Sequence, residues 1–106
     1  MSEIRLLIVD DHPVFRQGLC DVLDTDPGMT VVGEAADGDV AIDLAYKLNP
    51  EVILMDINLP TINGLQVTRR IQSSMHDIRV IMLTGYDDAE QIFHALRAGG
   101  SAYCPK

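Results

Sequence analysis

The residues able to do chemistry in this sequence stand directly after short apolar runs. Asp10 and Asp11 follow Ile4 to Val9, Asp56 follows Val52 to Met55, and Thr84 follows Val80 to Leu83. Lys106 closes the sequence after a further short run. Carboxylates gathered in a confined crevice repel one another unless a cation sits among them. Their hard oxygen donors suit Mg2+, which keeps several waters of its own. A carboxylate oxygen can also attack phosphorus and form an acyl phosphate. The metal would neutralise charge on the transferring group, and Lys106 and the Thr84 hydroxyl would hold its other oxygens. Each residue also has a plainer reading taken singly. Adjacent aspartates ordinarily cap a helix, Asp56 could sit in a turn, Thr84 could end a strand, and Lys106 could be a solvated lysine. Convergence on one place separates the two readings.

The elements implied by the pattern do converge. Ile4 to Val9 is nearly all apolar, as a strand covered on both faces should be. Pro13 fits the first position of a helix capped by Asp11 or His12, with Phe15, Leu19, Val22 and Leu23 at helical spacing and a stop at Asp26-Pro27-Gly28. Met29 to Ala35 reads as a second strand. A second helix follows Asp37-Gly38, with Val40, Ala41, Leu44, Ala45 and Leu48 as its apolar side, and ends at Asn49-Pro50. Val52 to Met55 is a third strand, and Asn63-Gly64 opens a third helix running to Ser73 with Val67 and Ile71 inward. Val80 to Leu83 is a fourth strand, Asp88 caps a fourth helix, and Ser101 to Pro105 is a fifth strand. This alternation predicts a parallel sheet between helices. Right-handed crossovers place the carboxyl ends of its strands along one edge, where open α/β sheets bind ligands. That edge would collect Asp10, Asp11, Asp56, Thr84 and Lys106.

Bulk properties narrow the partners. The 106 residues fit one domain, spanning 1–106, and 47% hydrophobic content argues against disorder. A net charge of -8 disfavours direct contact with nucleic acid or an anionic membrane surface. Cys20 and Cys104 do not make a disulfide framework or a zinc site, and read as reduced, apolar-behaving side chains. No apolar run approaches membrane-spanning length and no signal peptide is evident, so a cytoplasmic location is expected. His12 reads as an exposed cap residue, His76 and His94 as surface residues, and Met29, Met55, Met75 and Met82 as core or loop filler.

Five motifs in order carry a resemblance over essentially the whole chain. They are Leu6-Leu7-Ile8-Val9-Asp10-Asp11-His12-Pro13, Asp56-Ile57-Asn58-Leu59-Pro60 with Gly64 following, Met82-Leu83-Thr84-Gly85, Ala98-Gly99-Gly100, and Tyr103-Cys104-Pro105-Lys106. Together they resemble the receiver domain of bacterial two-component response regulators. Asp11-His12-Pro13-Val14-Phe15-Arg16-Gln17-Gly18-Leu19 and Val32-Gly33-Glu34-Ala35 resemble the branch that usually carries a C-terminal LuxR-type helix-turn-helix domain. The resemblance implies a flavodoxin-like, doubly wound, five-stranded parallel sheet of order 2-1-3-4-5. It implies that Asp56 takes a phosphoryl group from a sensor histidine kinase. Asp11 would bind Mg2+ directly and Asp10 largely through water, with the backbone carbonyl of Asn58 completing the set. Thr84 and Tyr103 would form the switch pair, and Lys106 would bridge to the phosphoryl oxygens. The output would be dimerisation or control of a transcriptional domain that supplies any DNA contact.

Several further expectations follow. The family pattern runs on into a fifth helix that this chain lacks, which would leave apolar surface uncovered and favour self-association or domain swapping. Pro105 before Lys106 is tolerable on an edge strand. Tyr86, two residues after Thr84, should hinder attacking water and slow self-dephosphorylation. Three alternatives stay open. An aspartate-nucleophile phosphatase would commonly need an acid where Asn58 stands, and a flavodoxin would need a Ser/Thr-Gly-rich loop after the first strand. A receiver that binds partners without phosphorylation would not need the acidic set.

Overall fold

The computed structural model describes residues 4–57, 59, 62–75 and 77–83. Its elements are β1 (Ile4–Val9), α1 (Pro13–Leu23), β2 (Met29–Ala35), α2 (Gly38–Leu48), β3 (Val52–Asp56), α3 (Gly64–Ser74) and β4 (Arg79–Leu83). The strands form one sheet in the order β2-β1-β3-β4, and every pairing is parallel. This is the doubly wound order expected for the first four strands. The expected fourth helix and fifth strand lie outside the described residues.

Strand periodicity divides the core into two layers. Leu6, Ile8 and Leu54 point to one face and pack with Leu19, Cys20 and Leu23 of α1. Leu7, Val9, Ile53 and Met55 point to the other and meet Ala41 and Ala45 of α2 and Val67 and Ile71 of α3. Central strands covered on both sides have no reason to alternate with polar residues, which is why Leu6 to Val9 of β1 and Val52 to Met55 of β3 read as apolar runs. Local signals then set the helix ends. Pro13 occupies the first turn of α1, where a missing N–H costs nothing. Asp37 Oδ1 accepts from the Val40 amide at 3.0 Å, and Asn63 Oδ1 from the Leu65 amide at 2.7 Å. Asn49 ends α2 in the left-handed conformation, at φ 49°.

Three details depart from the sequence pattern. Asp56 is the last residue of β3, rather than the residue after it, and β4 begins at Arg79. Val40 is 45% exposed, while Ile42 packs on the core. The stripe of α2 centres on the small residues Ala41 and Ala45, and each neighbouring residue is rotated by about 100° around the helix. Finally, Leu6 pairs with Val31 but Leu7 with Gly33, so Val32 is an extra residue in β2.

Cys20 is free and buried, as its apolar reading requires. Burial, reinforced by the nearby Glu34, pushes its thiol up to about 12. A raised value favours the neutral thiol. The associated stability is complete below the ordinary value of 9.0 and is lost as pH rises toward the folded value. Mass-mapped alkylation at pH 8 should therefore leave Cys20 unmodified in the native protein and modify it readily in urea. Rapid native labelling of Cys20 would contradict this packing.

Candidate functional site

Because β1 and β3 are adjacent and parallel, they deliver their carboxyl ends side by side, with Val9 paired to Met55. The next residue along each strand is an aspartate. Asp10 and Asp56 are buried, at 4% and 3% exposure. The Asp10 amide donates to the Ala35 carbonyl at 3.0 Å, continuing the ladder to β2 by one residue. Asp56 stays in register with Leu83, whose carbonyl accepts from the Ile57 amide at 3.2 Å. Backbone pairing thus fixes both carboxylates before any side-chain contact is considered.

The turn between β1 and α1 adds two further groups. Asp10 Oδ1 accepts from the His12 amide at 2.7 Å. His12 occupies the N-cap of α1 yet makes no side-chain cap bond. Its ring faces the acids instead, with Nδ1 3.1 Å from Asp10 Oδ1, 3.1 Å from Asp11 Oδ1 and 3.9 Å from Asp56 Oδ2. The Asp11 side chain is 32% exposed, but its Oδ1 is enclosed and accepts no hydrogen bond. The His12 nitrogen is close to it without being aligned for one. One ligand atom from each of Asp10, Asp11, His12 and Asp56 lies within 4.8 Å of the others. Three carboxylates with hard oxygen donors, one of them carrying an enclosed oxygen without a hydrogen bond, fit a divalent cation of the Mg2+ kind.

Two residues outside the cluster shape it. Gly64 opens α3 against the end of β3, and its amide donates to the Ile57 carbonyl at 3.0 Å. A side chain there would run into the Asp56 carbonyl oxygen and stand 2.9 Å from Ile57 Cα, so glycine is required for this approach. Arg16, one turn into α1, donates from Nη1 to the Asp10 carbonyl at 2.6 Å and from Nε to Glu34 Oε1 at 3.0 Å.

The predicted trio of Asp10, Asp11 and Asp56 is therefore brought together. Asn58, Thr84, Tyr86, Tyr103 and Lys106 lie outside the described residues. His12 is exposed and at a cap, as expected, but it also belongs to the cluster. Residue type alone gave no sign of that, because the direction of its ring depends on the turn. Arg16 was not singled out from sequence. The available signal was a basic residue one helical turn beyond a pair of aspartates. Among the described residues no helix is long and apolar enough to cross a membrane.

An open parallel α/β sheet with carboxylates gathered at the carboxyl ends of its central strands defines a class of edge-site proteins. Comparison with known proteins narrows the class. The family model for the response regulator receiver domain matches residues 6–106. The transcriptional regulatory protein DegU of Brevibacillus brevis is 40% identical over 105 residues, covering 99% of this chain and 44% of that protein. The transcriptional regulatory protein LiaR of Bacillus subtilis (strain 168) is 37% identical over 103 residues, 97% of this chain and 49% of that protein. A solved two-component response regulator of the LuxR family from Aurantimonas sp. SI85-9A1 superposes with a TM-score of 0.76 at 34% identity, covering 92% of this chain and 70% of that one. The chain belongs to the response regulator receiver domain family, whose role is phosphorylation-dependent signalling in two-component systems. It spans about half the length of these curated relatives.

The cluster makes two predictions. The hydrogen bond to Asp10, then the charges of Asp11 and Asp10, raise the His12 imidazole above its ordinary 6.5. A raised value favours the protonated ring, so its contribution to folding is complete below 6.5 and fades as pH rises through the folded value. NMR titration without divalent ions should place His12 above 6.5, and Asp10→Asn should lower it; an unchanged midpoint would contradict the contact. Separately, Gly64→Ala should cost about 1–3 kcal/mol in urea unfolding, since either α3 or the Asp56 carbonyl must shift.

Proposed function

We propose that Asp56 accepts a phosphoryl group from a sensor histidine kinase in the presence of Mg2+, and that the resulting charge switches this domain. One observation carries the reading: a buried aspartate ends β3 within ligand reach of Asp10 and Asp11. An Asp56 carboxylate oxygen attacks phosphorus, an O–P bond forms, and the P–N bond of the kinase phosphohistidine breaks, the imidazole leaving with the electron pair and taking a proton. Asp10, Asp11 and the backbone carbonyl of Asn58 would hold the metal together with Asp56. Mg2+, when bound, supplies charge neutralisation for the phosphoryl oxygens. The Thr84 hydroxyl and Lys106 contact those oxygens, and Tyr103 turns inward behind Thr84. Support for these last assignments is the ordered set of motifs in which they stand.

The switched surface then controls homodimerisation or a transcriptional output domain, which makes any contact with DNA. In this reading the protein works in the cytoplasm, and its only catalysis is its own phosphotransfer and slow self-dephosphorylation. The name of the LiaR relative as a transcriptional regulatory protein supports the output, as does the acidic balance of this domain.

Incubation with acetyl phosphate and Mg2+ should add one phosphoryl mass to the protein. Asp56→Asn should abolish that gain, whereas Asp43→Asn, an exposed residue paired with Lys47, should retain it. Equal labelling of Asp56→Asn and the unaltered protein would refute the assignment. Tyr86→Ala should shorten the lifetime of the phosphorylated form by opening the path of water. An unchanged decay rate would remove Tyr86 from the account.

A further inference from the structure

The three carboxylates are not held alike. Asp10 is fixed through its amide to Ala35 and through its side chain to the His12 amide. Asp56 is paired within the sheet. Asp11 follows the end of β1, and its enclosed Oδ1 accepts no hydrogen bond. The exposed His12 ring stands 3.1 Å from it without a hydrogen bond, so its direction depends chiefly on the backbone that carries it. The peptide leading into Asp11 is held at the Asp10 carbonyl, which accepts from Arg16 Nη1 at 2.6 Å. Arg16 is itself tied down, because Nε donates to Glu34 Oε1 at 3.0 Å on the neighbouring strand β2. Both peptide groups flanking Asp10 are thereby referenced to β2, one directly through Ala35 and the other through Arg16.

We infer that Arg16, braced by Glu34, is a positioning residue that aims the Asp11 carboxylate into the metal site. The inference rests on the proposed phosphoacceptor reading, with Asp11 as a metal ligand. A guanidinium suits the task because its fixed fork serves a carbonyl and a carboxylate at once, which a single ammonium cannot do in the same geometry. Groups that orient metal ligands without touching the metal commonly change affinity by 10–100-fold when removed.

The test combines Mg2+ titration by calorimetry, melting in EDTA, and labelling by acetyl phosphate across Mg2+ concentrations. Arg16→Met should weaken Mg2+ binding by about tenfold. The loss of affinity should exceed what any fall in metal-free melting temperature accounts for, and saturating Mg2+ should restore the labelling rate. Glu34→Ala should weaken Mg2+ binding less than Arg16→Met, and Glu34→Gln, which keeps an acceptor for Nε, should recover most of that loss. Should Arg16→Met fail to fold, the two Glu34 variants carry the same comparison at an exposed site. Unchanged Mg2+ affinity in variants of a protein that is itself labelled would overturn the positioning role and leave the Asp56 reading standing. Loss of affinity only in step with melting, or labelling that saturating Mg2+ does not restore, would likewise overturn it. An unaltered protein that takes neither Mg2+ nor a phosphoryl group would overturn both.

Discussion

Three carboxylates share a space in which their ligand atoms lie within 4.8 Å, and two of them are buried. Like charges about 4 Å apart near a protein surface repel by on the order of 4 kcal/mol. The chain tolerates this crowding because Asp10 and Asp56 end adjacent parallel strands whose pairing and two-sided burial specify where they must stand. A cation relieves such repulsion, and the His12 ring is one candidate drawn up to the acids. Its exposed ring leaves the usual capping role and faces all three acids. A single imidazolium leaves the cluster with excess negative charge, so a divalent ion is the better counterpart.

The rest of the edge opposes the tendency of that charge to spread. The amide of Asp10 is bound to β2 and the amide of Ile57 to β4, so the repelling groups are tied to opposite sides of the sheet. Gly64 lets α3 close against Asp56 from a third direction. An arrangement strained by charge and rigid in backbone is well suited to a switch, because adding or removing one charged group changes the local balance without first unfolding anything.

Much of this was legible in the sequence for physical reasons. Central strands covered on both faces are apolar wherever they are buried, so Leu6 to Val9 and Val52 to Met55 were plain and the aspartates following them conspicuous. The helix caps at Asp37 and Asn63 were equally local signals. What escaped was directional. The ring of His12 turns on one side-chain torsion, and the reach of Arg16 depends on the distance between α1 and β2. The exposure of Val40 depends on which side of α2 settles on the sheet, and two alanines decide that. The extra residue at Val32 is a matter of register between two strands, which no single strand encodes.

In the proposed function Asp10, Asp11 and Asp56 form one cation-supported phosphoacceptor site. A crystal structure grown with Mg2+ and beryllofluoride tests it most directly. The expected structure has a beryllium–oxygen bond to Asp56, with the metal ion lying among the carboxylates of Asp10, Asp11 and Asp56 and the His12 ring displaced from them. Beryllofluoride bound elsewhere, or a metal ion held away from the ends of β1 and β3, would contradict it.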